Sequence, residues 1–118
     1  MLWVNLNNTL IKILFFITIH AIESITLGIP QRPYVNQITQ TQDAFCQFTS
    51  SMVLPYKKAG YHSSALYGGS MTWRDLEGFF KVQGFDDIIG EGNIHVEAKD
   101  RHSWGINDDK LFELVEKQ

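Results

Sequence analysis

Apolar and polar positions alternate with different periods along this chain, and each period predicts an element. Near the start, Lys12 leads into Ile13-Leu14-Phe15-Phe16-Ile17-Thr18-Ile19, with the small residue Ala21 just beyond. The β-branched and aromatic content fits a buried strand or hydrophobic arm. A basic residue, a short apolar run and a small residue in that order also fit a secretory signal peptide. Either way residues 1–22 stand apart from a single small domain over 23–118, and the run is too short to span a membrane. Pro30 and Pro33 make 24–40 an extended connector. From Thr41 to Val53 the pattern becomes helical: Ala44, Phe45, Phe48 and Met52 share one side, Thr41 is the N-cap and Pro55 the stop.

Tyr61 to Tyr67 predicts a short strand closed by Gly68-Gly69. Ser70 or Thr72 then opens a second helix, with Thr72 and Asp75 at capping-box spacing and Gly84 as its C-terminal stop. Trp73, Leu76, Phe79, Phe80 and Val82 supply its apolar side. In Phe85–Lys99 the period changes to two. Asp86-Asp87-Ile88-Ile89 meets a Gly90-Glu91-Gly92-Asn93 turn, after which Ile94, Val96 and Ala98 alternate with His95, Glu97 and Lys99. That pattern predicts a hairpin with one buried and one exposed face. Ser103-Trp104-Gly105 form a turn, and Asn107 caps a last helix with Asp108 and Asp109 in its first turn and a Leu111, Phe112, Leu114, Val115 stripe. The predicted fold is α/β (α+β): a small mixed sheet with a central β-hairpin flanked by helices.

Composition narrows this. With 118 residues, 44% hydrophobic and 19% charged, the chain can bury one modest core and is not wholly disordered. Its single cysteine, Cys46, allows no internal disulfide and reads as a thiol packed on an apolar helix side. A lone thiol suits the cytoplasm; secretion is the alternative if residues 1–21 are a signal peptide. The net charge of −3 gives no general attraction to nucleic acid, so a polyanion would need a local basic patch or bound metal ions.

The hairpin carries the candidate chemistry. Glu97 and Lys99 point to one face, and loop length decides whether Asp86 or Asp87 lies opposite Glu97. Two carboxylates at cross-strand spacing repel unless a cation sits between them, and hard oxygen donors suit Mg2+ or Mn2+. A lysine beside that ion can orient a water or offset charge on a phosphate.

Asp87, followed ten positions on by Glu97-Ala98-Lys99, resembles the signature of the PD-(D/E)XK nuclease superfamily, small Holliday-junction resolvases in particular, over residues 73–118. The resemblance implies a restriction-endonuclease-like core. Asp87 and Glu97 would be metal ligands with the Ala98 carbonyl as a third, Lys99 the catalytic lysine, and Glu77 an additional helix-borne acid. It also implies a Mg2+- or Mn2+-dependent endonuclease that hydrolyses phosphodiester bonds, with DNA rather than RNA as partner. Lys57, Lys58, Arg74, Lys81 and Arg101 would then gather into a basic surface, with a homodimer as one way to assemble it. Asp86 stands where many members have proline, and no strand follows the last helix, which makes the expected core incomplete. The alternative, from another class, is a small secreted binding or effector protein without catalytic activity. His102, Gly105 and Asp109 have the spacing of a zinc site of some cell-wall peptidases, without its further ligands.

Overall fold

Backbone pairing organises the chain around one parallel strand pair. In the computed structural model, which describes residues 2–6, 9–13, 19–30, 36–103 and 105–117, β1 (Leu2–Leu6) and β2 (Thr9–Ile13) pair antiparallel. On its other side β1 pairs antiparallel with β3 (Ser63–Leu66), which lies parallel to β4 (Asp87–Ile89). The sheet order is β2-β1-β3-β4, with Ser64 opposite Asp87 and Leu66 opposite Ile89. The helices are α1 (Ile19–Leu27), α2 (Leu54–Lys58), α3 (Leu76–Gln83) and α4 (Asp108–Glu116). A two-residue ladder joins β5 (Arg101–His102) to β6 (Gly105–Ile106). The chain is mixed α/β, and no described helix is long and apolar enough to cross a membrane.

Helix α3 crosses between the two parallel strands, as a βαβ connection must. It buries Leu76, Phe79, Phe80 and Gln83, a stripe at helical spacing. The Phe79, Phe80 and Phe85 rings meet in sequence, tilted and then edge-to-face, with centroids 5.7 and 5.2 Å apart. With Ile19, Ile22 and Leu27 of α1, and with Val53, Ala65 and Met71, they form the main core. Leu66, Ile94, Ile106, Leu111 and Val115 form a second core that fastens α4. Gly84 closes α3 in the left-handed conformation (φ 107°), donating its N–H to Phe80 and Lys81 carbonyls, as the sequence predicts.

Three expectations are corrected. Residues 41–53 are not one helix: 3-10 turns at Ile38–Gln40 and Gln42–Phe45 lead into a loop, and Pro55 opens α2 rather than ending a helix. Phe45 is 77% exposed and Cys46 is an exposed thiol. The cause is Gln83, fully buried at the end of α3. Its Nε2 donates to the Cys46 carbonyl at 2.9 Å, and its Oε1 accepts from the Phe48 N–H at 3.1 Å. Ser51 Oγ also donates to the Gln83 carbonyl at 3.0 Å. Loop backbone satisfied in this way needs no helical ladder.

The second correction concerns the central hairpin. β4 pairs with β3, not with the segment after it, and Glu91–Asn93 and Ala98–Asp100 form 3-10 turns. Ile94 is buried and Val96 partly buried, so the alternation records burial against the second core rather than strand pairing. The third is the start of the connector: Ser24 to Leu27 belong to α1. Residues 14–18 of the hydrophobic run, 31–35 of the connector and Trp104 of the turn lie outside the described residues.

Candidate functional site

The parallel pair has two ends, and the acids singled out in the sequence lie at the end where both strands begin. Asp86 Oδ2 accepts from the Ser63 N–H at 2.9 Å and from Ser63 Oγ at 3.0 Å. Lys57 Nζ donates to Asp86 Oδ1 at 2.6 Å and to the Gly84 carbonyl at 3.0 Å. Partial burial alone would raise the Asp86 carboxyl, but Lys57 and the two Ser63 donors outweigh it and hold it at about 2. Asp87 Oδ2 lies 2.6 Å from His62 Nε2, and the other ring nitrogen is 3.9 Å from Asp86. The hydrogen bond to Asp87 raises the His62 pKa against an opposing burial effect, and both carboxylates add to the rise while Lys57 reduces it.

Asp87 thus has a histidine partner, whereas Glu97 and Lys99 pair with each other at 2.8 Å, both more than 70% exposed, at a 3-10 turn. The register question between Asp86 and Asp87 disappears because neither faces a Glu97 strand. Among the described residues no group of three or more His, Cys, Asp or Glu side chains could hold a metal ion. Glu77 pairs with Lys81 one turn on along α3. Lys57 and Arg101 are occupied by Asp86 and Glu91, at 2.6 and 3.7 Å.

The other end, where the strands finish, is built from loops. In open parallel sheets ligands bind beyond the carboxyl ends of the strands. Here Tyr67 extends the ladder by one bond to the Ile89 carbonyl (2.9 Å), Glu91 donates its N–H to Gly69 O (3.0 Å), and Ile106 to Gly68 O (2.8 Å). Two glycines let these segments approach. A Cβ on Gly105, whose φ is 134°, would strike the Gly68 backbone, and one on Gly68 would come 2.6 Å from Leu111 Cδ1. Arg101 donates to the Glu91 and Ile94 carbonyls at 3.4 and 3.3 Å, fastening the second loop.

From this base the chain projects Ser70 to Asp75. The Ser70 and Thr72 hydroxyls are 2.7 Å apart. Arg74 and Asp75 both have φ 55°, consecutive non-glycine residues in the left-handed region at a cost of roughly 1–2 kcal/mol each. Trp73 is 41% exposed, and the Arg74 guanidinium lies 5.8 Å from its ring centroid. An exposed indole, a cation and two hydroxyls therefore stand on a strained loop. Tyr67, half-buried beneath, has its pKa raised by burial and by the Glu91 charge, so its hydroxyl stays protonated. Sequence reasoning missed this loop by assigning Trp73 to a helix side. The available signal was the Gly68-Gly69 pair straight after a predicted strand.

The architecture is similar to that of a solved protein. The match is to a protein in the alkaline phosphatase superfamily from Vibrio parahaemolyticus, with a TM-score of 0.70 and 28% sequence identity, covering 81% of this chain. It covers 23% of the Vibrio chain, so the present chain spans about a quarter of that protein's length. The sulfatase family model matches residues 17–118, and the chain belongs to the sulfatase family. This overturns the nuclease resemblance and with it the endonuclease, phosphodiester and DNA-partner expectations. The Asp87, Glu97, Ala98, Lys99 pattern has the nuclease spacing without the strand pair that would bring those groups together.

Proposed function

We propose that this chain forms the substrate-side wall of a sulfate- or phosphate-ester hydrolase, with the ester bound at the carboxyl ends of β3 and β4. Family membership over residues 17–118 points to such esters rather than to nucleic acid. The observation that carries the reading is the Trp73-Arg74-Asp75 loop: backbone strain in non-glycine residues persists where the side chains are needed in place. Arg74 offers a guanidinium to a tetrahedral oxyanion, a charge-assisted contact stronger than a neutral one. Trp73 gives the organic part of the ester an apolar face, and the Ser70, Thr72 and protonated Tyr67 hydroxyls can donate to ester oxygens. Hydrolases of this kind typically depend on divalent metal ions. The described donors make up no three-ligand group for one; the ester contacts named here come from Arg74, Trp73 and the three hydroxyls.

The test is calorimetric titration of the chain with phenyl sulfate and phenyl phosphate, with and without Mg2+ or Mn2+, comparing wild type with Arg74→Gly. Glycine removes the cation and relieves the left-handed strain, so misfolding does not confound the result. Affinity is expected to fall about tenfold or more, the scale of one charged hydrogen bond. Equal affinity in the variant, or no ester binding by the wild type, would refute the reading.

A further inference from the structure

Helix α1 carries a polar stripe into the core. His20, Glu23 and Thr26 recur every third residue, which brings them to one face, and Glu23 and Thr26 are fully buried. Thr39, from the turn Ile38–Gln40 and itself 5% exposed, donates its backbone N–H to Glu23 Oε1 at 2.9 Å. The rest of this polar surface is unsatisfied: among the described residues Glu23 Oε2, Thr26 Oγ1, Thr39 Oγ1, Gln37 Oε1 and His20 Nε2 are buried without a hydrogen-bond partner. Folded interiors leave few such atoms, and here five belong to one helix and to residues 37–39, which a hydrogen bond ties to it.

Among the described residues this buried carboxylate has one hydrogen bond and no counter-charge, an arrangement that is costly unless a cation neutralises it. The unsatisfied oxygens are one carboxylate, one amide and two hydroxyls, a hard donor set with a single negative charge. Hard oxygens select s-block cations. Mg2+ dehydrates reluctantly and keeps several waters, which a fully buried site cannot supply. One positive charge balances the site.

We propose that α1 and residues 37–39 form a binding site for a monovalent alkali cation, Na+ or K+, ligated by Glu23 Oε2, Thr26 Oγ1, Gln37 Oε1 and Thr39 Oγ1. The ion ties the turn to the helix, and through α1 it stabilises the main core. The experiment is thermal melting of the full chain in sodium, potassium and tetramethylammonium chloride at equal ionic strength, with 23Na line broadening as a direct measure of binding. The wild type is expected to melt about 4 °C or more higher in one or both alkali salts than in tetramethylammonium, whose ion is too large for the site. Glu23→Gln should abolish the difference and Thr26→Val, a volume-conserving change, should reduce it. Equal melting in all three salts with no 23Na broadening would overturn the proposal. So would an alkali-dependent rise that survives in both variants.

Discussion

The two ends of the β3/β4 pair use their polar residues in opposite ways. Where the strands begin, each named group is answered: Asp86 by Lys57 and Ser63, Asp87 by His62. Where they finish, Arg74 and Asp75 sit in a conformation that costs energy, beside a Trp73 ring left open to solvent. The first end is a staple that holds two short strands in register, and its polarity is used up within the fold. The second spends stability to present side chains outward, as a ligand site does. The proposed site is therefore marked by strain and outward-facing side chains rather than by charged residues alone.

Breaking the second end from beneath should have the largest effect. Gly105→Ala adds a methyl to a residue at φ 134° and drives it into the Gly68 backbone. Neither partner is a flexible side chain, so the loop base must shift. A loss of about 2–4 kcal/mol in urea unfolding is expected, combining left-handed strain with overpacking. An unchanged midpoint would mean that the close approach of the two loops is not what holds them.

Next in size is the staple. Asp86→Ala leaves the Ser63 N–H without its acceptor and Lys57 with the Gly84 carbonyl alone, with an expected loss of about 1–3 kcal/mol and no change in ester affinity. Because folding holds the Asp86 pKa at about 2, below its unfolded value, this stabilisation is present above the unfolded pKa near 3.8 and is lost as pH falls toward 2. The wild-type and variant stability curves should therefore converge in acid. Curves that stay parallel down to pH 2 would remove Asp86 from the staple.

Much of the scaffold was legible because its signals are local. The Leu76, Phe79, Phe80 stripe with Gly84 behind it gives α3, the Ser63–Leu66 strand falls within the predicted run, and Asn107 precedes α4. The hairpin was not legible, because Ile94 and Val96 alternate with polar residues in order to reach a core from a loop, and burial has the same period as strand pairing. The 41–53 segment failed for a long-range reason: Gln83, more than thirty residues away, satisfies its backbone. The candidate site stayed hidden because its marker is a pair of φ values, which residue types do not encode. Glu23 is a lone acid within Ile22-Glu23-Ser24-Ile25, but its unpartnered oxygen belongs to tertiary structure.

The stability of Arg74→Gly sharpens the contrast between the ends. Glycine adopts φ 55° without the Cβ penalty, so the variant is expected to gain up to about 1 kcal/mol, partly offset by the entropy glycine adds to the unfolded chain. A gain in stability together with a loss of ester affinity is the mark of strain kept for function. A variant that loses both would make Arg74 a structural residue like those of the staple.

The smallest effect belongs to His62. Its folded pKa is raised, mainly by the bond to Asp87, so its contribution is complete below the unfolded value near 6.5 and disappears as pH rises through the folded value. The ring is 63% exposed, and solvent screening limits the effect to a few tenths of a kcal/mol. His62→Gln should therefore be slightly less stable than wild type at pH 5, with the gap closing above neutrality. Asp86 and His62 then oppose each other: the staple weakens in acid through one and, as pH rises through the folded His62 value, through the other, leaving it tightest between the unfolded values near 3.8 and 6.5. The proposed ester end has no such pair among its described residues, and its binding should not follow that profile. If affinity for phenyl sulfate rose and fell with the staple over the same range, the two ends would be coupled through β3 and β4 rather than independent.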